Sequence, residues 1–293
     1  MKRFINKYGI NNIIYILPFT ILFLIFIAYP AINNLYISFF KWNGVSPDKI
    51  FIGFQNYFKM FNNRIFLIAL KNNMLFLVLT VIFQSGLGFL MALLLNRKIA
   101  GVNIYRSIVF FPCTMAPVIV GYIFVILINF SYGIINVFFR GIGLNALAVD
   151  WLGKPSLAIF TIIFTSIWQW TGFAVVLYLA GLQNIPEELY EAAKIDGASY
   201  FQRTIKITFP MLTSTHFSIL ILTSIGAIKS FDLVYAMTYG GPAHASEVLA
   251  THLYLENFVL SHTGYASAVS TIMVLFALII TIFQLRLYKG ARI

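Results

Sequence analysis

The sequence predicts an all-α, polytopic integral membrane protein with six transmembrane helices and a short polar helix between the fourth and fifth. Three observations carry this. The 293 residues are 60% hydrophobic and only 10% charged, where a soluble domain carries roughly 25% charged residues. Six apolar runs are long enough to cross a bilayer, which takes about 20 helical residues. Four of the nine acidic residues, Glu187, Glu188, Glu191 and Asp196, gather in one stretch, 184–210, between two of those runs.

A basic head (Lys2, Arg3, Lys7) precedes the first span, about 13–36. At 1.5 Å per residue that run reaches ~36 Å. It exceeds the roughly 7–15 apolar residues of a signal peptide, so it is read as a retained helix that Pro18 and Pro30 bend or bound. Residues 41–64 form a polar loop spotted with Trp42, Phe51, Phe54, Tyr57 and Phe58, residues suited to the membrane interface. The second span runs from about 73 to 95, and a basic turn follows over 96–106. The third, about 107–129, opens with Phe111-Pro112 and carries Pro117, so it is expected to be broken or bent. An outer loop with Asp150 and Trp151 leads to the fourth span, about 156–182. The fifth covers about 207–229. A polar connection over 230–263 reaches the sixth, about 264–285, which ends in a basic tail. The whole of 1–293 reads as one transmembrane domain.

Six spans put both termini on one side of the membrane. Segments on that side carry twelve basic residues: Lys2, Arg3, Lys7, Arg97, Lys98, Arg106, Lys194, Arg203, Lys206, Arg286, Lys289 and Arg292. The opposite loops carry seven (Lys41, Lys49, Lys59, Arg64, Lys71, Arg140, Lys154), with Lys229 at a boundary. The excess places the termini and the 184–206 loop in the cytoplasm, in a multi-pass protein of the cytoplasmic (inner) membrane. The net charge of +11 therefore reports topology. The alternating aromatic and basic stripe of a nucleic-acid surface is missing, and no nucleic-acid partner is expected.

Several chemistries are excluded. No G-x-x-x-x-G-K-[ST] string occurs, so the chain builds no P-loop, and ATP-driven transport would need its nucleotide site on another subunit. No Asp or Glu lies inside a span, which opposes a proton- or sodium-coupled carrier and an intramembrane hydrolase. A carrier using backbone sites, or a channel, stays open as a rival class. The single Cys113 allows no disulfide framework and no Cys-type zinc site. His244, Glu247, His252 and Glu256 share the last outer loop without a familiar ligand spacing, and they read as surface polar groups near a subunit contact, with no metal site. His216, among Thr213, Ser214, Thr215 and Ser218, suits interhelical hydrogen bonding. Lys229 and Asp232 are three apart and can neutralise each other if the helix continues; snorkelling to the interface is the preferred reading.

Within 184–210, Asn184 and Pro186 read as a helix start with acids in the first turn, and Asp196-Gly197 as its C-terminal stop. Leu189, Ala192 and Ala193 share a face small enough for another backbone to approach. Periodicity alone fits an ordinary solvated loop helix equally well. The string Glu191-Ala192-Ala193, Asp196-Gly197-Ala198 and Pro210 resembles the EAA loop of binding-protein-dependent ABC importer permeases. The resemblance implies a cytoplasmic coupling helix that inserts into a cleft on an ATPase subunit, with Glu191, Ala192, Ala193, Asp196 and Gly197 in that role. Phe54-Gln55-Asn56-Tyr57, Phe111-Pro112, Gly240-Gly241-Pro242 and Gly264-Tyr265-Ala266 extend the likeness over nearly the whole chain, to carbohydrate-uptake permeases and the maltose-permease side of their heterodimer. It implies a non-enzymatic transmembrane subunit, embedded in lipid, that translocates a sugar or oligosaccharide. It also implies a second homologous permease, an ATPase dimer carrying ATP and Mg, and an extracytoplasmic solute-binding protein, with no cofactor in this chain. A sugar-like solute such as a glycerol phosphate stays an alternative.

Trp168, Gln169, Trp170 and Thr171 lie mid-span in the fourth helix, and Thr223, Ala227 and Ser230 follow one face of the fifth. Ring faces beside hydrogen-bonding groups suit a neutral polyhydroxyl solute, although aromatic residues in a span also serve packing. The resemblance places a mid-membrane pocket among the helix after Phe-Pro, the helix before the EAA loop and the helix before Gly-Gly-Pro. That implicates Thr114, Trp170, Thr171, Thr223, Ala227 and Ser230.

Overall fold

The computed structural model describes residues 15–97 and 100–290. Lys2, Arg3, Lys7, Lys98 and Arg292 of the charge argument, and the start of the first span, lie outside them. The described chain is helical apart from one two-stranded hairpin, and it divides into two compact units.

The first unit takes residues up to Asn62 together with Leu253–Ile272. Helix α1, Tyr15–Ile37, is apolar and almost wholly exposed within the chain. Its middle, Leu24–Ala28, widens into a π-turn just before Pro30. Proline has no N–H to give the carbonyl four residues back, and a wider turn accommodates the missing bond. The 41–64 stretch, expected as loop, instead folds into strands β1 (Phe40–Lys41) and β2 (Ile50–Phe51) and helix α2 (Gln55–Asn62). Asn56 ties these together by donating from Nδ2 to the carbonyls of Ser38 (2.8 Å) and Phe40 (2.9 Å).

The second unit, Asn63–His252 with Met273–Ile293, holds the bundle. Helix α3 covers Arg64–Leu95, so the second span begins earlier than about 73. Asn63 caps its start by accepting from the Ile65 N–H at 2.8 Å. Asn72 and Asn73 look like a helix boundary in the sequence but are buried inside α3 with their amides spent on neighbouring backbone. The third span is two helices, α4 (Val102–Thr114) and α5 (Pro117–Leu127), bent 99° apart. Ala116 precedes a proline and takes an extended conformation (φ −62°, ψ 132°), which ends the first helix. Short helix α6 (Ile134–Gly141) leads to α7 (Pro155–Gln183). After the polar helix α8 (Glu187–Ile195) come α9 (Tyr200–Met211) and α10 (Thr213–Ile228), bent by 66° at Leu212. The fifth span thus starts before 207. Helix α11 is Asp232–Thr238, α12 is Leu249–Tyr254, and α13 is Thr263–Gly290. Two apolar clusters hold the bundle. One gathers Phe76, Ile162, Ile163 and Val234, the other Ala92, Tyr178, Leu212 and Ile219. Four helices and the two bent pairs make up to six crossings among the described residues.

Candidate functional site

A cavity of about 300 Å³ opens inside the second unit, at the small end of ligand sites. Three helices aim one face each into it at helical spacing: Phe76, Thr80 and Gln84 from α3, Ser166, Trp170 and Phe173 from α7, Thr223 and Ala227 from α10. The chain between α10 and α11 closes it with Lys229, Ser230, Phe231 and Asp232. Rings, hydroxyls, one amide and one charge of each sign therefore face the same space. The helix of Lys229 does not continue to Asp232. Lys229 caps the end of α10, the chain breaks across Ser230 and Phe231, and Asp232 sits in the first turn of α11, where its carboxylate suits the helix dipole. Lys229 and Asp232 both line the cavity and both are exposed, and because the helix does not run through them they are not one-turn neighbours on a single helix face.

Buried amides hold this frame. Gln169 is fully buried and donates from Nε2 to the Met115 carbonyl at 3.0 Å, occupying an acceptor that the broken third span exposes. Gln84 donates to the Trp170 carbonyl at 3.3 Å. Asn73 donates to the Ala227 carbonyl (3.1 Å) and accepts from the Leu249 N–H (2.6 Å), while Asn72 donates to the carbonyls of Ala245 and Glu247. These bonds bind the Gly-Gly-Pro turn to the end of α10. In that turn Glu247 is fully buried and its Oε2 lies 2.5 Å from His244 Nδ1. In the first unit, Glu256 Oε2 lies 2.8 Å from His262 Nδ1. His252 is buried too. Of the four polar groups expected at the surface, only His244 is there; Glu247, His252 and Glu256 are buried, and the histidine contacts of Glu247 and Glu256 offset the cost of burying their carboxylates. Among the described residues no cluster of three or more His, Cys, Asp or Glu could hold a metal ion.

The polar helix is the second feature. Asn184 caps the end of α7, donating to the Ala180 carbonyl at 3.0 Å, so it does not start α8; extended Pro186 does. Glu187 and Glu188 occupy the first turn and Lys194 the last. The end is a complete Schellman closure: Gly197 N–H to Lys194 O at 3.1 Å and Ala198 N–H to Ala193 O at 2.9 Å, with Gly197 at φ +76°. Ser199 and Gln202 form a reciprocal capping box that starts α9 at once. Tyr190 faces the bundle, its hydroxyl 3.0 Å from Thr208 Oγ1. On the other sides Glu191, Ala192 and Asp196 are exposed, Ala193 is half-buried, and Ile195 is 87% exposed.

Residues 84–293 match the model of the family described as binding-protein-dependent transport system inner membrane component. The chain belongs to this family. It is a permease, the membrane component of an ABC importer, and not the ATPase. It is 35% identical over 290 residues, 98% of this chain and 99% of that one, to the probable ABC transporter permease protein YurN of Bacillus subtilis. It is 35% identical over 277 residues, 94% and 93% of the two chains, to the trehalose/maltose transport system permease protein MalF of Thermococcus litoralis. A crystal structure of a bacterial ABC transporter involved in the import of the acidic polysaccharide alginate matches with TM-score 0.85 at 26% identity, covering 98% of each chain. A second, of a bacterial alginate ABC transporter in complex with alginate pentasaccharide-bound periplasmic protein, matches with TM-score 0.82 at 25% identity, covering 96% of this chain and 94% of that one.

In this permease Trp170, Thr223, Ala227 and Ser230 line the cavity; Thr114 and Thr171 do not. Thr171 is buried one residue further round α7 and donates to the Ile167 carbonyl at 2.6 Å. Thr114 bonds back to the Phe111 carbonyl at the end of α4, where the chain turns away. Sequence reasoning missed Thr80, Gln84, Ser166 and the aromatic Phe76, Phe173 and Phe231. Gln84 had a signal: an amide deep in an apolar span must be bonded or functional. The rings and hydroxyls had none, because identical residues elsewhere in the spans only pack.

Proposed function

We propose that the whole chain, 1–293, is one transmembrane domain of a heterodimeric importer that carries a neutral sugar or short oligosaccharide inward across the cytoplasmic membrane. The cavity carries this reading. Trp170 and Phe173 offer ring faces for the apolar face of a pyranose. Thr80, Gln84, Ser166, Thr223 and Ser230 offer hydrogen bonds, and one Lys and one Asp, Lys229 and Asp232, leave the lining without net charge. A phosphorylated solute would meet Asp232 as well as Lys229, which disfavours the glycerol phosphate alternative. The MalF relative and the alginate importers support a saccharide.

Helix α8 is the proposed coupling helix, on the cytoplasmic side with both termini. Its exposed Glu191, Ala192 and Ile195, beside half-buried Ala193, are free to seat in an ATPase cleft, while Asp196 and Gly197 shape the exit of the chain. Two ATPase copies binding ATP and Mg would move this helix and its counterpart on a second, homologous permease, turning the cavity from inward- to outward-facing. A solute-binding protein would deliver the solute from outside. No covalent step occurs in this chain. The test is an uptake panel in a strain deleted for the chain, comparing labelled mono-, di- and trisaccharides with glycerol 3-phosphate. Restoration of saccharide uptake by the chain supports the reading; restoration of glycerol 3-phosphate uptake alone rejects it.

A further inference from the structure

The 66° bend at Leu212 lies between the segment that follows α8 and the helix that lines the cavity. A displacement of α8 reaches α10 only if this joint is stiff. A bare bend would not be, because Pro210 has no N–H to give and Leu212 leaves the helical conformation (φ −89°, ψ 12°).

His216 sits one turn into α10 and spans the joint. Its Nε2 lies 3.1 Å from the Phe209 carbonyl, before the bend, and its Nδ1 lies 2.9 Å from the Tyr178 hydroxyl on α7. The Phe209 oxygen only accepts, so Nε2 carries the hydrogen; in the neutral ring Nδ1 then accepts and Tyr178 donates. One imidazole thus fastens three elements. Phe89, Phe209 and Tyr178 surround the ring at centroid distances of 5.7, 4.4 and 5.3 Å. The seam is tight. A Cβ on Gly181, three residues along α7 from Tyr178, would lie 2.5 Å from Thr215 Oγ1 and 2.7 Å from Leu212 Cδ2, so a larger side chain there would have to displace both side chains at the bend. Upstream, Tyr190 of α8 holds Thr208 of α9. Downstream, Thr223 lies seven residues on, ~10 Å along the α10 axis.

We propose that His216 is a positioning residue: by locking the bend at Leu212 against α7, it makes α9 and α10 move as one body, so that movement of α8 opens and closes the cavity. This rests on the reading of α8 as the coupling helix.

The experiment uses the assembled importer, partner permease and ATPases included, reconstituted in vesicles. A reporter cysteine replaces Leu222 on the cavity wall in a Cys113→Ser chain, and its maleimide labelling rate is read without nucleotide and with ATP plus vanadate, beside ATP hydrolysis. With His216 present the labelling rate changes between the two conditions. His216→Phe keeps the ring and loses both hydrogen bonds. It is expected to assemble and hydrolyse ATP while losing the nucleotide-dependent change, and His216→Gln, which restores a donor near Nε2, is expected to recover part of it. Tyr178→Phe removes only the far hydroxyl and is expected to reduce the change, and it decides the matter if His216→Phe does not assemble. A full nucleotide-dependent change in His216→Phe or, in that case, in Tyr178→Phe overturns the proposal. Absence of any change with His216 in place overturns it together with the coupling reading. Cross-linking of Glu191→Cys to the ATPase in the His216 chain separates the two failures, because it depends on α8 alone.

Discussion

Helix α8 and the cavity are assembled by opposite means. Everything that shapes α8 lies within about fifteen residues: Pro186 starts it, Gly197 and Ala198 close it, and Ser199 with Gln202 restarts the chain. Its outward residues Glu191, Ala192 and Ile195 are exposed, so their identities are free to be set by another surface. The cavity draws on positions from Phe76 to Leu233, no one of which makes a site alone. A local device can be broken at one backbone position. A distributed one loses function in portions, as single side chains are removed. The contrast is directly testable.

The largest effect is expected at Gly197. Its φ of +76° costs an ordinary L-residue about 1–2 kcal/mol, more with a β-branched side chain. Gly197→Val should therefore redirect the exit of α8 and reduce uptake to background, with normal amounts of the chain in the membrane. Nothing stands within 4 Å of a Cβ there, so Gly197→Asn, which tolerates the left-handed conformation, should keep most uptake. Equal loss in both variants would show that space, not backbone angle, governs the position.

In the cavity, Asp232→Asn and Lys229→Gln should each raise the KM for uptake by roughly tenfold to a hundredfold, the worth of one charge-assisted hydrogen bond of about 1.5–3 kcal/mol. The nucleotide-dependent labelling change at Leu222→Cys, read without solute, should stay intact. Trp170→Ala should cost about fivefold to tenfold, and unevenly among saccharides, because a ring face discriminates between sugars that present different apolar faces. Identical kinetics for every sugar would remove Trp170 from the site. Thr114→Ala should change uptake by no more than about twofold, the range of a surface substitution; a larger loss would mean that the end of α4 reaches the solute in another state of the cycle.

The same contrast explains what could be read before folding. The boundaries of α8 were legible because Pro, Gly and acidic residues act on the backbone next to them, although Asn184 belongs to the preceding helix, whose last carbonyls compete for its amide. Trp170 and the Thr223 face were legible as polar or aromatic interruptions of apolar helices. Thr171 was not separable from Trp170, since one step along a helix turns a side chain by about 100° and only the neighbours decide which direction is inward. Whether the helix of Lys229 continues to Asp232 was left open by the sequence, because the break at Ser230–Phe231 has no proline or glycine to announce it.

The amino-acid order by itself determined that this chain belongs in a membrane, that several apolar helices are long enough to cross it, and where the polar helix α8 ends. Composition and local backbone chemistry act over a few residues and need no partner. The tertiary structure alone decided which faces of α3, α7 and α10 meet, that two opposite charges share their cavity, and that His216 bridges a bend between three elements. Those outcomes depend on distances between residues far apart in the chain, and packing, not propensity, sets such distances.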